Sequence, residues 1–267
     1  MPEPELVCER AGAVAVVRLN RPAVRNALSH RLVASLAAVL AGLDRDRRVG
    51  AVVLTGAPPG FCAGSDLREL AGLAGTGRLG HEARTGQAVR AIASLGVPVI
   101  AAVEGFAVGG GFLLAAGCDL VVSTPDARWH LPEVGLGWVP PWGLQALVAR
   151  VGPVTARRLA WGEGPLTGRE LHRLGGVDEL AGPDAAVPAA GELAARLAAL
   201  PRHAVASTKR ALAGAVAGRA EALDAYATRL FGEDCRSDAA RASLAGYAAR
   251  TAGRARPDER GRMSAAG

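Results

Sequence analysis

The sequence predicts an α/β protein with a helical C-terminal extension. Short β-branched or apolar runs at 14–19, 49–55, 98–104 and 120–123 alternate with segments of helical spacing as far as residue 150. From about residue 153 the pattern is almost wholly helical. Half of the 267 residues are hydrophobic and 21% are charged, the balance of a chain that buries a core rather than of a disordered one. We divide the chain into a core, residues 1–200, and a helical segment, residues 201–267.

Residues 6–8 and 14–19 read as two strands about a turn at Gly12. Apolar residues at helical spacing over 28–43 follow Asn26, which serves as the cap region. The run 49–55 is a buried strand, and 56–64 is a loop turned by Pro58, Pro59 and Gly60. A short helix starts near Asp66. Residues 71–86, rich in glycine, read as a mobile connection carrying His81 and Glu82. Helix is expected over 88–95, strand over 98–104, an apolar helix over 112–117 opened by Gly109, Gly110 and Gly111, and strand over 120–123. After 129–133 comes a glycine, proline and tryptophan segment to Trp142, then a helix over 144–150. Further helices are expected over 154–161, 168–174, 185–200, 204–217, 220–231 and 238–249, with one short strand at 177–180 and a frayed polar tail from 254.

The composition excludes several function classes. The net charge of +6 raises nucleic acid, but the arginines are scattered, Lys209 is the only lysine, and no basic block alternates with aromatics. No apolar run is long enough for a membrane, and residues 1–5 carry no basic or apolar leader, so a cytoplasmic protein is expected. Cys8, Cys62, Cys118 and Cys235 form no Cys-x-x-Cys pair and read as free thiols. No phosphate loop, dinucleotide fingerprint, zincin helix or serine elbow is present, and no metal site is expected.

Two glycine-rich loops remain, each at the end of a predicted strand: residues 61–67 and 104–111. Strand ends are where α/β proteins place their sites. Glycine there lets backbone approach a ligand, and unpaired N–H groups that converge make an oxyanion hole. A lone triple glycine is more often a device for tight helix packing.

Together the segments resemble the enoyl-CoA hydratase/isomerase (crotonase) family over nearly the whole chain. The resemblance rests on Arg18-Leu19-Asn20-Arg21-Pro22 with Asn26-Ala27-Leu28, on 51–56, 61–67 and 98–105, on Gly109-Gly110-Gly111, on Cys118-Asp119, and on Pro132-Glu133-Val134-Gly135-Leu136-Gly137. It implies a crotonase-like spiral of ββα units, with the C-terminal segment joining homotrimers or homohexamers. The substrate is then an acyl-CoA thioester, coenzyme A being part of it rather than a cofactor. The amides of Ser65 and Gly110 would hold the thioester carbonyl and Glu133 would move the proton. Ala63 would meet adenine, with Arg25 and Arg68 on the phosphates and Arg250 reaching CoA in a neighbouring subunit. Asp66 and Asp119 match scaffold positions.

The sequence departs from the hydratase pattern at two places. Hydratases carry a second glutamate two residues after the triple glycine, where this chain has Leu113. They also carry a Pro-Gly-x-Gly-Gly run, where this chain has Val139-Pro140-Pro141-Trp142-Gly143. Leucine neither orients water nor exchanges a proton. The single-carboxylate reaction, shifting an enoyl-CoA double bond through Glu133, is therefore the leading expectation. Hydration, dehydration or decarboxylation on the same scaffold, and an inactive acyl-CoA binder, are the alternatives. Trp138 and Trp142 are expected to wall the acyl pocket. His130 is a lesser candidate for substrate contact, and Glu69, Glu82, Glu104 and His81 are possible substitute acids for which solvated or structural roles are favoured.

Overall fold

Strand β1 (Leu6–Ala11) turns back at Gly12 into β2 (Val14–Leu19), and helix α1 (His30–Arg45) carries the chain to β3 (Ala51–Gly56). The computed structural model describes the backbone over residues 3–254 and side chains over 3–249. Then follow α2 (Leu67–Gly72), α3 (Gly75–Ile92), β4 (Val99–Val103), β5 (Phe106–Val108), α4 (Gly110–Ala116), β6 (Leu120–Ser123) and β7 (Arg128–His130). A kinked α5 (Leu144–Ala160) leads to β8 (Leu166–Thr167), α6 (Gly168–Arg173), β9 (Glu179–Leu180) and α7 (Ala186–Ala198). The chain ends in α8 (Arg202–Ala217), α9 (Ala220–Asp234) and α10 (Asp238–Arg254).

Six strands form one sheet in the order β1-β2-β3-β4-β6-β9, parallel except for the β1–β2 hairpin. Buried on both faces, its central strands need apolar residues at every position. Val52, Leu54, Val99 and Ala101 pack with α1, α4 and α5 on one side. Ala51, Val53, Ile100 and Ala102 meet Ala186, Ala190, Leu193 and Ala194 of α7 on the other. The alternation of period two along each strand divides these sets. A smaller sheet, β5-β7-β8, stands beside the first and brings residue 130 next to residue 108.

The structure corrects several expectations. The segment 71–86 is no mobile connection: α3 runs through it, burying His81, Glu82, Thr85, Gly86, Val89 and Ile92. Over its full length it has little helical amphipathicity, its buried stripe beginning only at His81, so tertiary packing against α1 and α9 makes the helix. The cap of α1 is Ser29, whose side chain accepts from the Leu32 N–H. Asn26 instead lies buried and ties down the following loop, donating to the carbonyls of Ala57 and Gly60. The two helices expected over 144–150 and 154–161 are both present, joined across a sharp kink at Gly152, whose φ of 74° is not helical. Strand β7 stops at His130, freeing Glu133 to start a 3-10 turn, Val134–Leu136. The predicted tail beyond residue 254 lies outside the described residues.

Candidate active site

Loop 61–66 is laid along β5 and stitched to it. The Phe61 N–H donates to Phe106 O, the Val108 N–H donates to Cys62 O, and the Ala63 N–H reaches back to Arg25 O. Two glycines permit this approach. Gly64 has a φ of +88°, and a Cβ on it would stand 2.8 Å from the Gly110 nitrogen. A Cβ on Gly111 would be 2.2 Å from Cys62 O, closer than any side chain tolerates. Ser65 and Gly110 are thereby brought together on the wall of one cavity. Among the described residues, neither of their N–H groups donates to a backbone carbonyl.

The cavity is small, about 50 Å³, and is lined by Leu113, Glu133, Trp138 and Trp142 together with Phe231 and Glu82. Leu113 is buried against Gly143. The carbonyl of Glu133 accepts from the N–H groups of Leu136 and Trp138, which fixes its backbone. Its Oε1 stands 2.8 Å from where a Cβ on Gly109 would be. Its Oε2 is buried and accepts no hydrogen bond among the described residues. Burial, aided by the negative charge of Glu82, pushes the Glu133 carboxyl up to about 8.

Glu82, one of the possible substitute acids, holds a buried place in the structure. It is neither solvated nor remote: at 2% exposure it faces the same cavity as Glu133. Its Oε2 accepts from Trp142 Nε1 at 2.6 Å, and the Ser65 side chain also hydrogen-bonds it. Burial pushes its carboxyl up to about 7 against the opposing pull of those two hydrogen bonds. One signal was present in the sequence. Positions 82, 85, 86, 89 and 92 form a stripe at helical spacing with small or apolar residues at every other place.

The remaining candidates sort cleanly. Glu69 accepts from the His30 N–H and Glu104 from the Ala186 N–H. Asp66 caps α2 and pairs with Arg21, while Asp119 holds the Val99 N–H and Lys209. His81 is buried with both ring nitrogens unpartnered among the described residues, and burial holds its pKa below the usual value. The four cysteines are free thiols.

A groove of about 860 Å³ adjoins the cavity, sharing Ala63 and Leu67 with it. It collects Arg25, Arg68 and His130, and adds Arg128, which the sequence had not singled out. The three arginines are exposed. Arg250 falls in α10, but its side chain lies outside the described residues. Phe231 of α9 lines the cavity and Tyr247 of α10 lines the groove, so residues beyond 200 join the site.

The segment 138–143, which carries the two tryptophans, is fastened by α9. The Val139 N–H donates to Asp234, the Gly143 N–H to Asp224, and Thr228 donates to the Pro141 carbonyl. Trp138 meets Phe231 edge to face, with centroids 6.1 Å apart. Asp224 is itself paired with Arg90 of α3.

Among the described residues no cluster of side chains could hold a metal ion, and no helix is long and apolar enough to cross a membrane. The family model for enoyl-CoA hydratase/isomerase matches residues 9–253. The short-chain-enoyl-CoA hydratase of Clostridium acetobutylicum is 34% identical over 235 residues, covering 85% of this chain and 88% of its own. The 2,3-dehydroadipyl-CoA hydratase of Escherichia coli is 34% identical over 209 residues, covering 78% of this chain and 81% of its own. Among solved structures, an enoyl-CoA hydratase from Mycobacterium avium subsp. paratuberculosis superposes with a TM-score of 0.81 at 26% identity, covering 93% of this chain and 97% of its own.

Proposed function

The chain belongs to the enoyl-CoA hydratase/isomerase family and has its crotonase fold, and on that premise we propose that it activates an acyl-CoA thioester as an enolate. The amides of Ser65 and Gly110 receive the thioester oxygen, and Glu133 moves a proton at the α-carbon. The observation that carries this reading is the buried, unpartnered Oε2 of Glu133 in the cavity whose wall holds those two amides.

An α-proton beside a thioester is too weakly acidic for a carboxylate in water. Donors placed on the developing oxyanion are worth about 3–4 kcal/mol each, and a positioned base adds roughly a hundredfold or more. A carboxyl raised to about 8 is a far stronger base when ionised than one at the ordinary 4.5.

Coenzyme A enters as part of the substrate. Its adenine meets Ala63, and its phosphates meet Arg25 and Arg68 in the groove, while the acyl end reaches Leu113, Trp138 and Trp142. Because Leu113 cannot handle a proton, Glu133 alone suffices for moving a double bond from the 3- to the 2-position. Hydration is the second reading, and the presence of Glu82 in the cavity favours it. Assembly as trimers or hexamers in the cytoplasm belongs to the same proposal. Exposed Leu200, Leu212 and Val216, beside a groove of about 720 Å³, offer an apolar surface for it.

The test is exchange of α-protons of butyryl-CoA into deuterated water, with 3-enoyl-CoA and 2-enoyl-CoA incubated separately. Glu133→Gln is expected to lower exchange at least about a hundredfold. Unchanged exchange in that variant removes Glu133 from the mechanism. Binding of CoA esters with no exchange by the unmodified protein makes it an inactive binder.

A further inference from the structure

Glu82 and Glu133 reach one cavity from different parts of the chain, Glu82 from α3 and Glu133 from the head of the 3-10 turn. They are close enough for the charge of one to act on the other. No basic side chain pairs with either carboxylate among the described residues, so burial of Glu82 is uncompensated by an ion pair. A glutamine at 82 would accept the Trp142 N–H and the Ser65 hydroxyl equally well, without the penalty of burying an acid. Holding those neighbours therefore does not explain a carboxyl. Two hydrogen bonds also leave part of its acceptor capacity, about four lone-pair sites when ionised, open to the cavity.

We propose that Glu82 is a second catalytic carboxyl, which takes the proton from a water adding to the β-carbon of a 2-enoyl thioester. It thus supplies from α3 what Leu113 on α4 cannot. This rests on the thioester-enolate reading and extends it to hydration. The water oxygen forms its bond to the β-carbon while its proton passes to the Glu82 carboxylate. The π pair of the double bond moves into the enolate, whose oxygen lies on the Ser65 and Gly110 amides. The enolate then takes a proton at its α-carbon from the Glu133 carboxyl, giving the 3-hydroxyacyl thioester. Glu82 ends protonated and Glu133 ionised, and one proton passing from the first to the second through solvent restores the pair.

The test measures two rates on the same preparations: hydration of crotonyl-CoA and longer straight-chain 2-enoyl-CoA thioesters, and α-proton exchange of butyryl-CoA. In Glu82→Gln the ratio of hydration to exchange is expected to fall about a hundredfold, with partial recovery in Glu82→Asp. A merely structural Glu82 lowers both rates in proportion, and that result overturns the proposal. So does hydration by Glu82→Gln within threefold of the unmodified protein (about 0.7 kcal/mol). If the unmodified protein exchanges α-protons but hydrates none of the thioesters, Glu82 loses its role while the enolate reading stands. Absence of both reactions removes both. Should Glu82→Gln fail to fold, Glu82→Asp carries the same ratio test.

Discussion

Replacing Glu133 by glutamine should stabilise the fold, and increasingly so as the pH rises. Glu133 is 7% exposed, and burial moves its carboxyl from 4.5 to about 8. The folded state therefore prefers the neutral acid. A group raised in this way contributes stability that is fully present below 4.5 and is lost progressively as pH rises to about 8. At about 1.4 kcal/mol per pH unit across that window, the full loss is about 5 kcal/mol, and relaxation of the site makes this an upper bound. Glutamine keeps the shape and removes the titration. Urea unfolding of the two proteins at low, neutral and alkaline pH reads the difference directly. Glu133→Gln should match the unmodified protein near pH 4.5 and exceed it by about 2–5 kcal/mol above pH 8, where the gap levels off. A gap that does not change with pH would mean that Glu133 is not held neutral by its surroundings.

Three further outcomes follow from the geometry of the cavity and groove. Proton abstraction at the α-carbon needs ionised Glu133, so exchange and isomerisation should rise with pH and level off above about 8. Hydration needs Glu82 ionised and Glu133 protonated, so its kcat should peak between about 7 and about 8. Profiles of identical shape for the two reactions would refute separate roles for the two acids. Arg25→Ala and Arg68→Ala should each raise the KM for CoA esters by about fivefold, most at low salt, and leave kcat within about twofold. A fall in kcat without a rise in KM would place these arginines elsewhere in the mechanism.

Much of the fold was legible because its core strands obey local rules. Residues 51–54 and 99–103 are continuous apolar runs preceded by Gly50 and Pro98, a pattern that few structures other than a buried strand accommodate. Only the end of α3, over 88–92, was legible, since Gly75, Gly77, Gly80 and Gly86 weaken the preference of the rest and its stability comes from partners far along the chain. The same cause hid Glu82. A glutamate in a glycine-rich stretch reads as solvated until α3 is placed against α9, residues more than a hundred positions away. The loops at 61–67 and 104–111 could be read because their glycines mark close backbone approach, and Leu113 because its place is fixed relative to Gly111. Ser29 was overlooked as the cap of α1 because Asn26, three residues earlier, is an equally good capping type. Only its contacts with Ala57 and Gly60 reveal that it anchors a loop instead.

The anchoring of segment 138–143 to α9 bears on how this protein could be redesigned. Residues 138–142 look like an exchangeable loop, the obvious cassette for transplanting acyl-chain preference from a relative. They are not a module. Their backbone is held by Asp224, Thr228 and Asp234, and Trp138 leans on Phe231. A donor loop inserted alone would meet an acceptor helix cut for another sequence. Selectivity should transfer only when loop and α9 travel together, as two distant stretches of sequence that behave as one heritable part.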